Sequence, residues 1–213
     1  DDVSIHWLAA MAVLLLTALP AAARSSPPSP VAYRLSPVFE AGALTALKVE
    51  IRFREGPSGR TRLAWADDWA GDSALYAHAR DMRIEGGEAV ADGPGAWIVR
   101  AAPGAPITAT YRVVSAYDRD PTDDNSAQSK PVVRPTWFYA VGEALFAVPQ
   151  DQKKSPATFA WTGAPKGFGF ASGLEHLAGL GRRAARPGTV EDIVESIAIA
   201  GRVPSAAIIT AIC

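Results

Sequence analysis

Leu47-Lys48-Val49-Glu50-Ile51-Arg52-Phe53-Arg54 decides the fold class. Leu47, Val49, Ile51 and Phe53 take alternate positions, and Lys48, Glu50, Arg52 and Arg54 fill those between. Successive side chains of a strand point to opposite faces, so this period puts apolar groups on one face and charges on the other. That is a half-buried strand of an antiparallel sheet with one face in water. Gly56-Pro57-Ser58-Gly59 supplies a turn, and Thr61, Leu63 and Trp65 resume the alternation, so the two runs are expected to form a hairpin.

The same rhythm continues on the C-terminal side. Met82 to Glu85 precedes Gly86-Gly87, Ala96 to Arg100 follows Asp92-Gly93-Pro94-Gly95, and Ile107 to Val114 follows Pro103-Gly104-Ala105-Pro106. Short strands divided by Gly/Pro turns predict a mainly β domain, an antiparallel sandwich or barrel-like unit. Ser115 to Pro135 is polar, proline-punctuated and long, the composition of a functional or disordered loop. Thr136 to Val148 and Ala157 to Trp161 read as further strands, with a glycine-rich turn region at Gly163 to Gly173. Near the end, Thr189 as N-cap, Glu191 and Asp192 in the first turn, and Val190, Ile193, Val194 and Ile197 on one side predict a short helix.

The front of the chain has a different character. Trp7 to Leu19 is uncharged and is followed by Pro20, Ala21, Ala22, Ala23 and Arg24, which together read as the apolar region and small-residue cleavage site of an export signal. Its 13 residues fall short of the roughly 20 that span a bilayer, so no stable membrane anchor is expected. Asp1 to His6 lacks the Lys or Arg of a usual signal. The expected organisation is a signal over 1–23, a Pro/Ser linker over 24–30, a β domain over 31–186, and a C-terminal helix and apolar tail over 187–213, the start of a link to a further domain. A periplasmic or secreted location follows from the signal.

Charge and cysteine content narrow the function. The 213 residues carry 21 Lys and Arg against 22 Asp and Glu, and losing 1–23 removes only Asp1 and Asp2 from that balance. A near-neutral surface argues against nucleic acid as a partner. Cys213 is the one cysteine, so no intrachain disulfide can form and the domain must rest on its hydrophobic core.

No catalytic constellation assembles from the residues. His6, His78 and His176 are scattered, without the His-Glu-x-x-His spacing of a hydrolytic zinc site. Asp118, Asp120, Asp123, Asp124 and Asn125 have the acidic density of a calcium loop. Counted from Asp118, however, the sixth position holds Asp123 instead of Gly and the twelfth holds Ser129 instead of Glu. A solvated loop or a looser oxygen-ligand site is left open there. Gly169-Phe170-Ala171-Ser172-Gly173 lacks the nucleophile elbow. Trp65, Trp69, Tyr76, Trp137 and Tyr139 either belong to the core or line a groove for a peptide or a sugar.

Longer phrases carry a family resemblance. Leu63-Ala64-Trp65-Ala66-Asp67-Asp68-Trp69-Ala70-Gly71, Met82-Arg83-Ile84-Glu85-Gly86-Gly87, Tyr111-Arg112-Val113, Gly142-Glu143-Ala144-Leu145-Phe146-Ala147-Val148-Pro149 and Ser196-Ile197-Ala198-Ile199-Ala200-Gly201 resemble the N-terminal β domain of the glycyl aminopeptidase family of zinc metallopeptidases. The resemblance runs from Val31 to Gly201. It implies a non-catalytic domain that packs on a zinc peptidase domain and helps shape a peptide cleft. Zinc is then expected only in that other domain, because no residue here matches the family's zinc ligands or general base. The different-class alternative is an autonomous envelope module that binds carbohydrate or a partner protein through the aromatic set.

Overall fold

The structure is a computed structural model that describes residues 29–120, 129–174 and 188–202. The expected signal, most of the Pro/Ser linker, the 121–128 part of the acidic loop, His176 and the apolar tail after Arg202 lie outside the described residues. In chain order the strands are β1 (Val31–Glu40), β2 (Ala43–Arg54), β3 (Arg60–Ala64), β4 (Asp68–Trp69), β5 (Asp72–Ser73), β6 (Ala79–Glu85), β7 (Glu88–Ala91) and β8 (Ala96–Arg100). They continue as β9 (Pro106–Val113), β10 (Val132–Arg134), β11 (Trp137–Val141), β12 (Val148–Pro149), β13 (Pro156–Trp161), β14 (Gly169–Ser172), β15 (Gly188–Thr189) and β16 (Ile197–Gly201). Among the described residues two short α-helices interrupt them, α1 (Gly142–Leu145) and α2 (Val190–Val194).

A six-stranded sheet, ordered β15-β13-β1-β2-β9-β6, forms the main wall. Its centre follows the alternation read from the sequence, with Leu35 opposite Val49 and Val49 opposite Tyr111. Val31, Tyr33 and Leu35, then Leu47, Val49, Ile51 and Phe53, then Ile107, Ala109, Tyr111 and Val113 all fall on the buried face. Each large apolar side chain so buried contributes roughly 1.5–3 kcal/mol. One pair in this wall is parallel, β1 with β13. Two four-stranded sheets, β12-β3-β8-β7 and β10-β11-β16-β14, and a two-stranded β4-β5 ribbon accompany it among the described residues. Leu63, Trp65, Val99, Phe138, Ala198 and Ala200 join residues of the large sheet in one core. The fold is mainly β and among the described residues no sheet closes into a barrel.

Three expectations change in detail. β2 and β3 are not a hairpin, because β3 pairs with β8 and β12 in a different sheet. The reason lies at the corner. Glu55 donates its amide to Ala105 O at 2.9 Å and accepts from the Gly104 amide at 2.9 Å, so the chain is tied to the turn before β9 and leaves the sheet there. Secondly, Thr136 to Val148 is broken by α1. The Gly142 amide donates to Ser196 O at 2.7 Å, and a Cβ at Gly142 would lie 2.2 Å from Val194 O, so only glycine lets these backbones meet. Thirdly, α2 stops at Val194. Its capping box is present, with Thr189 accepting from the Asp192 amide and Asp192 accepting from the Thr189 amide, but Ile197 leaves the helix for β16 and is 51% exposed. β16 itself lies inside its sheet, between β11 and β14.

Candidate functional site

The five aromatics singled out from the sequence divide into two groups. Trp65 is 3% exposed and packs edge-on against Tyr111 at 4.7 Å and Trp97 at 6.0 Å between ring centroids. It is a core residue. Tyr76 lies against the same core from a 3-10 turn at Leu75–His78, and its ring fills the space a side chain at Gly95 would need. Trp137 opens β11 opposite Gly201, whose missing Cβ makes room for it.

Trp69 and Tyr139 behave differently. Both are partly buried against a small separate cluster of Leu75, Val141 and Ala144, with Ala66 beside them. Burial raises the Tyr139 hydroxyl above the ordinary tyrosine value. The structure therefore brings two of the five to one patch and leaves Trp65, Tyr76 and Trp137 elsewhere.

Next to that patch in the chain is Glu143, which is 6% exposed. Its Oε2 is buried without a hydrogen-bond partner among the described residues. Burial raises its carboxyl above the ordinary 4.5, its own backbone amide pulls it back, and the charge of Glu195 raises it further. The placement is held from below by two buried phenols. Tyr111 donates to Leu145 O at 2.7 Å and accepts from the Ala147 amide at 3.0 Å, while Tyr33 donates to Ala147 O at 3.1 Å. Burial keeps both hydroxyls protonated by pushing them well above the tyrosine range. Those bonds fix the segment carrying Glu143, Ala144 and Leu145 with the precision of core packing.

Glu143 was quoted in the family phrase yet not picked out as a site residue. A lone Glu after an apolar strand carries no sequence signal of its own; the cue available was its glycine neighbour. His78 is half-buried, its pKa lowered by burial and then by the charges of Arg80 and Lys130. Of the acidic loop, Asp120 pairs with Arg134 at 2.6 Å. Among the described residues no group of three or more His, Cys, Asp or Glu converges. No helix among them is long and apolar enough to cross a membrane.

Solved structures share this β scaffold as a fold. An aminopeptidase N family protein from Idiomarina loihiensis matches with a TM-score of 0.63 and 14% identity, over 80% of this chain and 29% of that one. An M1 zinc metallopeptidase from Deinococcus radiodurans matches with a TM-score of 0.46 and 14% identity, over 82% of this chain and 42% of that one. The chain thus has the fold of one portion of the Idiomarina protein and spans less than a third of its length. No family model and no curated protein matches it.

Proposed function

We propose that this chain is the non-catalytic N-terminal domain of an exported, periplasmic or secreted, aminopeptidase-like protein. In this reading it packs on a zinc peptidase domain and helps shape a peptide cleft. The observation that carries the reading is the fold shared with the aminopeptidase N family protein over 80% of this chain but only 29% of that one. A domain of such a protein needs no nucleophile or metal of its own.

Trp69 and Tyr139, partly exposed over Leu75, Val141 and Ala144, supply the apolar part of the cleft wall. Glu143, on the same α1 turn as Ala144 of that cluster, supplies a largely buried carboxyl group. An apolar wall with a few placed polar groups is what a peptide terminus requires. Zinc, held in the peptidase domain, would polarise the scissile carbonyl and activate water there.

The test is the coding sequence beyond the Cys213 codon. A continuing or frame-shifted reading that encodes His-Glu-x-x-His is the expected result. A genuine stop with no peptidase sequence behind it would overturn the reading in favour of an autonomous module for carbohydrate or a partner protein.

A further inference from the structure

The corner that carries the chain from β2 to β3 holds a second unusual carboxylate. Glu55 is 3% exposed, and its Oε2 is buried with no hydrogen-bond partner among the described residues. Its Oε1 accepts from the Gly56 amide at 2.9 Å and from Thr61 Oγ1 at 2.6 Å. Thr61 Oγ1 also lies 3.4 Å from Asp151 Oδ2, so two carboxylates share one hydroxyl that has one proton to give. Gly56 has no Cβ to keep them apart; one there would lie 2.7 Å from Asp151 Oδ2.

Among the described residues neither Glu55 nor Asp151 is in an ion pair. Arg54 stands at the same corner but spends its guanidinium on Gly104 O at 2.8 Å and Ser29 Oγ at 3.3 Å. Arg54, Glu55, Gly56, Gly104, Asp151 and Gln152 line an open cavity of about 790 Å³, which leaves room for an ion and its water. A buried carboxylate oxygen without a partner is costly unless a charge compensates it.

We propose that this corner is a binding site for a hard divalent cation of the calcium type, with Glu55 and Asp151 as its carboxylate ligands. The carboxylates of Glu55 and Asp151, with the Thr61 hydroxyl between them, are hard oxygen donors brought together from the 54–61 corner and the turn after β12. Calcium accepts such irregular oxygen sets at 2.3–2.6 Å and completes its shell with water. The ion would clamp the 54–61 corner to the turn after β12 and supply the missing counter-charge. The site shares no residue with the Trp69 and Tyr139 face.

The experiment is thermal unfolding of the full chain, stripped with chelator and then titrated with calcium chloride to roughly 10 mM, above the range of extracellular calcium modules. The expected result is a saturable rise of about 5 °C or more at a hundredfold excess over Kd. Glu55→Gln and, separately, Asp151→Asn are expected to lose most of that rise. Asp151 is exposed, so its variant folds even if the buried one does not. Equilibrium dialysis should give one calcium per chain, reduced at least tenfold in affinity by Asp151→Asn. A midpoint indifferent to calcium, or a rise kept in full by Asp151→Asn, would overturn the proposal.

Discussion

Glu55 and Glu143 are both almost wholly buried, and each keeps an Oε2 without a partner among the described residues, yet their surroundings differ. Around Glu55 the donors are aimed at a charge: a backbone amide, a threonine hydroxyl, and an opening to solvent beside a second acid. Around Glu143 the neighbourhood is apolar and already negative, so its carboxyl is driven toward the neutral form. Glu55 accepts two hydrogen bonds, whereas Glu143 meets burial and a second negative charge. Burial alone therefore does not distinguish a structural carboxylate from a functional one; the donors around it do.

That contrast can be broken most severely at the backbone. Gly142→Ala would drive a Cβ into Val194 O, a main-chain atom that cannot step aside, and is expected to cost about 3 kcal/mol. Chemical denaturation measures it. Thr61→Val is next, because it strips Glu55 Oε1 of its hydroxyl donor and leaves the Gly56 amide alone; a loss of about 2 kcal/mol is expected.

Glu143→Gln sharpens the comparison in the opposite direction. The folded-state pKa lies above 4.5, so the folded chain binds the proton more tightly and the wild type loses stability as pH climbs from 4.5 through that raised value. The variant should melt a few degrees higher than wild type at about pH 8, with the gain gone below the unfolded pKa. An equal gain at every pH would remove the titration from the explanation. The smallest effect belongs to Gly56→Ala. Its Cβ meets only the end of the exposed Asp151 side chain, which can rotate, so a change below about 1 kcal/mol is expected.

Much of this fold was legible because burial on one face of a sheet writes itself into the sequence with period two. Leu47 to Phe53 and Ile107 to Val113 are buried on the faces their alternation assigned. Pairing across the chain leaves no such mark. The parallel partner of β1 is β13, more than a hundred residues on, and nothing local announces it. The false hairpin had the same origin: Gly56-Pro57-Ser58-Gly59 looks like a turn between partners, while the bonds of Glu55 to the 104–105 turn decide where the chain goes.

Short helices hide for a related reason. The four residues of α1 complete barely one turn, too few for a helical period to appear beside the strand that precedes them. For the site, aromatic residues could be named from the sequence, but Trp65 and Trp69 are four residues apart and only the structure separates a core ring from a surface one. Glu55 and Glu143 were invisible as buried groups, because a glutamate in a chain one-fifth charged is expected in water.

The proposed function is that of a non-catalytic domain packing on a zinc peptidase domain. It is tested most directly by incubating the purified chain with zinc and a panel of peptides bearing N-terminal glycine or alanine, and following release of the first residue. No turnover above the buffer control is the expected result; release that follows the chain through successive purification steps and is lost on Glu143→Gln would contradict it.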